Sequence, residues 1–226
     1  MIVGNGLIAR AFLDVDKEDV IFFASGVSNS LETDENQFLR EENLIRKTMA
    51  ENPGKLFVYF STCSIYDSSK NGSAYVIHKL NMEHLVSSEC EQYLIARVSN
   101  AVGKGGNPNL LMNYLCQSIL NQQKITIHQN AKRNLIDIED VRNLILKLII
   151  EKEKNKIYNV AYLENFKISE VVSVFEEELG IETEKERVDL GETYTIDVHE
   201  VEGYFTERDG RIYLQGLIQK YFKPSI

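Results

Sequence analysis

Two side chains four residues apart, Tyr75 and Lys79, carry the clearest chemical signal in the sequence. Residues at this spacing share one face of a helix, and Ser73 is placed to cap a helix over 74–88. A lysine ammonium beside a phenol favours the phenolate and lowers the pKa of the tyrosine. Tyr75 is therefore predicted to act as a general acid/base on a carbinol or a carbonyl.

The same spacing occurs a second time, at Tyr66 and Lys70. That copy runs into the segment DSSKNGS, residues 67–73, whose composition is typical of a loop. In a loop, four-residue spacing does not place two side chains on a common face. The sequence therefore favours the copy that begins at Tyr75.

A hydroxyl that orients the reacting oxygen is supplied by the end of a predicted buried strand. The strand LFVYF, residues 56–60, runs directly into Ser61 and Thr62. Cys63 follows, and a buried structural thiol is the favoured interpretation of it. We expect Thr62 to be the catalytic hydroxyl.

The turn GNGLIA, residues 4–9, lies between a short strand and a helix predicted over 7–13. Glycine lets the backbone approach a pyrophosphate, and the N-terminus of the helix offers free N–H groups to it. A tight turn without a ligand is the alternative. The predicted cofactor contacts are Gly4, Asn5, Gly6, Leu7, Ile8, Ala24, Ser25, Ser61, Tyr75 and Lys79.

The acidic residue that normally holds the cofactor ribose, about twenty positions after such a turn, is not found. The next strand, VIFFA over 20–24, ends in Ala-Ser-Gly, and Asp14 and Asp16 fall in the connector before it. The adenosine half of the predicted cofactor site is therefore reduced.

Short apolar runs alternate with amphipathic stretches along the chain, which predicts an α/β fold. We expect a Rossmann-like parallel sheet flanked by helices, in a single domain over 1–226. Residues from about 100 onward are expected to add a small, intertwined substrate lobe. Helices are predicted over 37–51, 74–88, 109–122 and 138–153 and from Ser169.

Composition excludes several classes of function. The 226 residues carry a formal net charge of -9, which disfavours binding to nucleic acid. The 3 cysteines and 4 histidines are dispersed, so no metal site is predicted. The apolar run 144–150 is too short to span a bilayer, and the N-terminus lacks the features of a signal peptide. A cytoplasmic protein is the default expectation.

The order of these motifs resembles the extended short-chain dehydrogenase/reductases, the family of nucleotide-sugar epimerases, dehydratases and 4-keto reductases. Thr62 stands four before Tyr66, as the family's catalytic Ser or Thr stands before an aromatic residue. Tyr75 and Lys79 match the family's YxxxK pair. Asn43 matches a helix asparagine that supports the active-site water network in the family.

Further segments extend the resemblance over nearly the whole chain. RVSN at 97–100 resembles the family's R-x-x-N, RNLIDIEDV at 133–141 resembles R-D-F-I-H-V-D-D-V, and YNVA at 158–161 resembles Y-N-V-G. The resemblance implies a catalytic set of Thr62, Tyr75, Lys79 and Asn43. It implies substrate contacts at Ser64, Asn100 and Arg133.

Four departures from the family are visible. The glycine turn is one residue shorter, the second and third strands are missing, and the stretch between Tyr66 and Tyr75 is short. Asn134 replaces the usual acid after the arginine.

The resemblance implies an NAD or NADP cofactor and a nucleotide-sugar substrate. It also implies 4-keto reduction or epimerisation, as in polysaccharide biosynthesis, and a homodimer through helices 37–51 and 74–88. The alternative is a cofactor-poor, non-catalytic binding or regulatory subunit, motivated by the missing strands.

Overall fold

The computed structural model describes residues 1–15, 17–105 and 110–223. Its centre is a five-stranded sheet whose neighbouring strands are all parallel. In spatial order its strands are β1 (Ile2–Val3), β2 (Val20–Phe23), β3 (Leu56–Thr62), β4 (Tyr93–Val98) and β9 (Lys156–Val160). This architecture confirms the predicted α/β fold with a parallel sheet.

Both faces of this sheet are covered, because alternate residues of a strand point to opposite sides. Ile21 and Phe23 of β2 pack with apolar residues of two helices, α2 (Glu35–Glu51) and α3 (Ala74–Glu89). Val20 and Phe22 enter the larger core on the other face. Because these strands are buried on both faces, their sequences are continuous apolar runs.

The sheet confirms that the second and third strands of the usual Rossmann order are missing. β1 pairs with β2, with Ile2 opposite Phe22 and Val3 opposite Phe23. Within residues 1–15, 17–105 and 110–223, no strand lies on the outer side of β1. The first strand is therefore an edge strand.

The two helices that flank the site begin at residues with N-capping side chains. Ser73 Oγ accepts a hydrogen bond of 3.2 Å from the Val76 N–H, which confirms the predicted start of α3. Asp34 caps α2 through the Asn36 N–H at 2.9 Å. Helix α1 (Leu7–Ala11) is shorter than the predicted 7–13.

In residues 100–105 and 110–223, the chain forms three two-stranded ladders and four α-helices, and it also returns β9 to the main sheet. The ladders are β5 (Asn100–Val102) with β8 (Leu135–Asp137), β6 (Ile125–His128) with β11 (Lys185–Val188), and β7 (Lys132–Arg133) with β10 (Phe166–Lys167). The helices are α4 (Leu111–Leu120), α5 (Ile138–Ile150), α6 (Ile168–Leu179) and α7 (Gly210–Tyr221). The predicted start of α4, at Asn109, lies outside the described residues.

Asn134, where the family has an acid, joins two segments of this part of the chain. Its amide nitrogen donates to the carbonyls of Tyr162 and Glu164 at 2.9 and 3.0 Å, and its oxygen accepts from the Tyr162 N–H. A carboxylate lacks the donors that these carbonyls need. The amide is therefore required by local structure.

No helix among the described residues has both the length and the apolar character needed to cross a membrane.

Candidate functional site

A cavity of about 630 Å³ opens where the strands of the main sheet end. Its lining comes from the loops that follow β1 and β2 and from the last residues of β3 and β4. The carboxyl ends of parallel strands are the usual place for ligands in open α/β sheets. The fold therefore places this cavity at the expected site.

The cavity brings together most of the residues that the sequence singled out. Those that line it are Asn5, Gly6, Leu7, Ile8, Ala24, Ser25, Ser61, Thr62, Ser64, Tyr75, Lys79 and Asn100. Gly4, Asn43 and Arg133 are not part of the lining.

Tyr75 and Thr62 meet inside this cavity. Tyr75 lies in the first turn of α3, and its phenol is hydrogen-bonded to the hydroxyl of Thr62 at the end of β3. Thr62 Oγ1 also accepts a hydrogen bond of 3.0 Å from the Ser64 N–H. This backbone contact holds the Thr62 hydroxyl beside the Tyr75 phenol.

The pKa of Tyr75 is raised in this structure, whereas the effect of Lys79 on it stays a prediction. Burial raises the pKa of Tyr75 to about 12, the hydrogen bond with Thr62 lowers it in part, and the charge of Glu41 raises it further. The phenol is therefore protonated at neutral pH.

Lys79, whose side chain is 2% exposed, is itself held by buried partners. Its ammonium donates to Glu41 Oε1 and to the Phe60 carbonyl, each at 3.1 Å. It also lies 4.4 Å from the ring centre of Tyr59. Burial lowers the pKa of Lys79, and the charge of Glu41 opposes that shift.

Glu41 is a buried residue behind the site that the sequence analysis did not select. This fully buried carboxylate also accepts from the Val27 N–H at 2.6 Å and from the Tyr59 hydroxyl at 2.7 Å. Its Oε2 lies 3.0 Å from Nε2 of His78. Burial alone would raise the pKa of Glu41, but the charge of Lys79 and these hydrogen bonds hold the pKa well below its usual range.

Asn43, the α2 residue that the resemblance selected, is exposed and does not line the cavity. Two residues along a helix correspond to a rotation of about 200°, so Asn43 and Glu41 point to opposite sides. Glu41, Ile45 and Thr48 form the buried stripe of α2. The helical period places Glu41 on this face, although residue type alone predicts a surface position for a glutamate.

Next to Tyr75 and Lys79, Ser61 is held by a second buried carboxylate. Its hydroxyl donates to Glu83 at 2.6 Å, and Glu83 forms an ion pair with Arg97 at 2.6 Å. Arg97 also donates to the hydroxyl of Tyr66 at 3.1 Å. Tyr66, from the second YxxxK copy, is therefore part of this network. Lys70, from the same copy, lines the cavity and donates a hydrogen bond of 3.2 Å to Ser30.

The glycine turn reaches the opposite end of the cavity. Gly4 has a φ of +128°, and a Cβ there would collide with the carbonyl of Ala24. A Cβ on Gly6 would have no neighbour within 4 Å. Gly4 thus permits the close contact between β1 and β2, and Gly6 leaves open space in which a pyrophosphate fits against the backbone.

Of the remaining predicted residues, Asn100 lines the cavity and Arg133 does not. Asn100 donates to the Asn134 carbonyl at 2.7 Å, and Arg133 donates to the Lys132 carbonyl at 2.8 Å. Cys63 donates to the Arg97 carbonyl at 2.9 Å, and burial raises the pKa of its thiol, as a structural cysteine requires.

Two arginines that the sequence analysis did not select, Arg10 and Arg40, also line the cavity. Arg40 donates to the Ser25 carbonyl at 3.1 Å.

The parallel sheet, the glycine turn and the Tyr75–Lys79 helix define a Rossmann-type domain of the short-chain dehydrogenase/reductase class. Residues 4–161 match the NAD dependent epimerase/dehydratase family, and the chain belongs to that family. A search of curated proteins found no significant match.

Solved structures of the same fold are similar over most of the chain. RMD from Pseudomonas aeruginosa, complexed with NADPH, is 18% identical with a TM-score of 0.69, covering 96% of this chain and 86% of that one. UDP-glucose 4-epimerase from Thermus thermophilus, complexed with NAD, is 14% identical with a TM-score of 0.71, covering 97% and 82%. dTDP-glucose 4,6-dehydratase from Bacillus anthracis, in complex with NAD, is 16% identical with a TM-score of 0.71, covering 89% and 71%.

Proposed function

We propose that this chain is an NAD(P)-dependent enzyme that acts on a nucleotide-linked sugar by 4-keto reduction or epimerisation. The observation that carries the proposal is the single cavity that joins the glycine turn to Tyr75, Thr62 and Lys79. Family membership and the NAD, NADPH or UDP-sugar complexes of similar structures support it.

In this proposal Tyr75 is the general acid/base. Its neutral phenol donates a proton to the carbonyl oxygen of a keto sugar, and the Thr62 hydroxyl orients the same oxygen. When bound, a reduced nicotinamide supplies the hydride. The ammonium of Lys79 has three donors, of which Glu41 and Phe60 occupy two, so one is left for a cofactor hydroxyl in the cavity.

The substrate is proposed to lie on the side of Ser64 and Asn100, which line the cavity. Arg133 is proposed to bind the substrate diphosphate from outside the lining. Its charge reaches the site, because burial and the charge of Arg133 together lower the pKa of Lys70, a residue of the lining.

The test is direct. NADH and NADPH are titrated calorimetrically, and the protein is then incubated with UDP-, dTDP- and GDP-linked 4-keto sugars while absorbance of the reduced cofactor is followed. We expect binding of at least one cofactor and its oxidation with one sugar class. Epimerisation is followed by NMR of the sugar.

A second candidate function, a cofactor-poor binding or regulatory subunit, is favoured by the edge position of β1. The same titration separates the two functions. Absence of binding of either dinucleotide at millimolar concentration would support the regulatory subunit and contradict the enzyme.

The homodimer is also proposed, through α2 and α3. Leu39 of α2 and Ile77 and Leu80 of α3 are 57%, 49% and 40% exposed, which leaves apolar surface on these helices. Sedimentation velocity should show a dimer at micromolar concentration, and Ile77→Glu should convert it to a monomer. A parent protein that sediments as a monomer contradicts this interface.

A further inference from the structure

We propose that Arg40 binds the 2′-phosphate of NADPH, and that this contact makes the chain select NADPH over NADH. The inference rests on the proposed function for the cofactor site and names the cofactor that this site selects. The residue that usually distinguishes the two cofactors follows the second strand of the Rossmann order, which is missing here. Another part of the chain therefore has to make this distinction.

The lining of the cavity is positively charged, although the whole chain carries a formal net charge of -9. Among residues 1–15, 17–105 and 110–223, the charged side chains of the lining are Arg10, Arg40, Lys70 and Lys79, without any Asp or Glu. A site for NAD usually offers a carboxylate to the 2′-hydroxyl of the ribose, and a carboxylate there would repel a 2′-phosphate. The charge of this lining therefore suits NADPH.

Glu41 lies close to the cavity wall but is not available to the ribose. It lies behind Gly26, where an added Cβ would be 2.7 Å from Glu41 Oε1, and its side chain is fully buried. Both of its oxygens already have hydrogen-bond partners, which are Val27, Tyr59, His78 and Lys79. This carboxylate therefore does not supply the acceptor that NAD would need.

Arg40 is placed to offer its guanidinium to a ligand. It is exposed on α2 and donates to the Ser25 carbonyl at 3.1 Å and to Ser25 Oγ at 3.4 Å. These contacts use two of its five N–H donors, and no carboxylate in the described part of the chain forms an ion pair with it. The planar guanidinium matches two oxygens of a phosphate at once, so the free donors fit a phosphate group.

The loop after β2 adds hydroxyl groups beside this guanidinium. Ser25, Ser28 and Ser30 all line the cavity. A hydroxyl can donate a hydrogen bond to a phosphate oxygen, which an acidic side chain cannot do when ionised. The loop and Arg40 together therefore offer donors to a phosphate without an opposing negative charge.

The loop also shows which end of the cofactor Arg40 would meet. It runs from the glycine turn to the catalytic helix: a Cβ on Gly4 would lie 3.0 Å from the Ser25 nitrogen, whereas Val27 packs with Tyr75. Arg40 contacts Ser25, at the glycine-turn end, away from the place proposed for the nicotinamide. The backbone of the turn serves the pyrophosphate, so the guanidinium is left for the phosphate that NADPH carries in addition.

The test begins with calorimetric titration of the parent with NADPH and with NADH at the same ionic strength. NADPH should bind at least about tenfold more tightly, because hydrogen bonds between charged groups are the strong ones. Equal affinities would overturn the inference and leave the proposed function intact. Binding of neither dinucleotide would contradict the proposed function and the inference with it.

Arg40→Leu then assigns the preference to this side chain. The variant should lose at least about tenfold in affinity for NADPH and stay within about threefold of the parent for NADH. Because Arg40 is exposed, the circular dichroism spectrum and the melting temperature should not change. An equal loss for both cofactors would place Arg40 at the pyrophosphate, and would refute its role in selection.

Arg46→Leu is the matched control, because it removes the same charge from an exposed position of α2 outside the cavity lining. Both affinities should remain within about twofold of the parent values. If this variant lost as much affinity for NADPH as Arg40→Leu, the preference would follow from overall charge, and a specific contact by Arg40 would be excluded.

Discussion

The two ends of the cavity differ in the contacts that form them. At the Tyr75 end, buried side chains hold one another: Glu41 binds Lys79, and Thr62 binds Tyr75. At the glycine-turn end, the lining includes Asn5 and Gly6, which lie between a two-residue edge strand and a five-residue helix. Buried side-chain contacts are therefore concentrated around Tyr75 and Lys79, whereas the glycine-turn end is formed by short elements at the edge of the sheet.

The largest expected effect is at the Tyr75 end. Tyr75→Phe removes the proton donor and should lower kcat by about 10²- to 10⁴-fold, with an unchanged melting temperature. Tyr66→Phe, the same change in the second YxxxK copy, should leave most of the activity. Turnover by Tyr75→Phe at the parent rate would refute the assignment of the general acid/base.

Gly4→Ala should produce the largest effect at the other end. The left-handed φ and the contact with Ala24 should cost about 1–3 kcal/mol in the free energy of unfolding, measured with urea. Gly6→Ala has open space and an ordinary φ, so it should weaken cofactor binding and leave stability within about 0.5 kcal/mol. Equal destabilisation by the two would contradict this division of roles.

Ser73→Ala tests how far the catalytic helix depends on its cap. Loss of the bond to Val76 should cost about 1 kcal/mol of unfolding free energy and should also lower kcat, because Tyr75 lies in the first turn. Asp209→Ala removes the cap of α7, a bond of 3.1 Å to Ile212. It should cost a similar amount of stability without changing kcat.

The smallest effect is expected from removing the adenosine half of the cofactor. Reduced nicotinamide mononucleotide should bind within about tenfold of NADH, or about 1.4 kcal/mol, because no strand among the described residues lies outside β1. Calorimetry with both ligands measures the ratio. A preference for NADH of more than about a hundredfold would show that the glycine-turn end contributes strongly to affinity.

Much of the fold was predictable because its signals are local. The apolar runs that became β2, β3 and β4 are continuous, as buried parallel strands require. The Ser73 cap identified the start of α3, and the positions of Thr62 and Tyr75 followed from the adjoining strand and helix.

The error at α2 shows where such reasoning fails. Asn43 was chosen by resemblance, although the helical period places Glu41 on the buried face. A glutamate in that position reads in sequence as an ordinary surface charge, since buried acids are rare.

The sequence by itself determined the α/β class, the missing strands and the tyrosine, lysine and threonine of the site, because periodicity, caps and spacing act over a few residues. Only the tertiary structure decided the charge on these groups. The carboxylate of Glu41 comes from 38 positions away in the chain to reach Lys79, and burial then strengthens the interaction between them. Ionisation depends on what lies within a few ångströms, and the folded chain sets those distances.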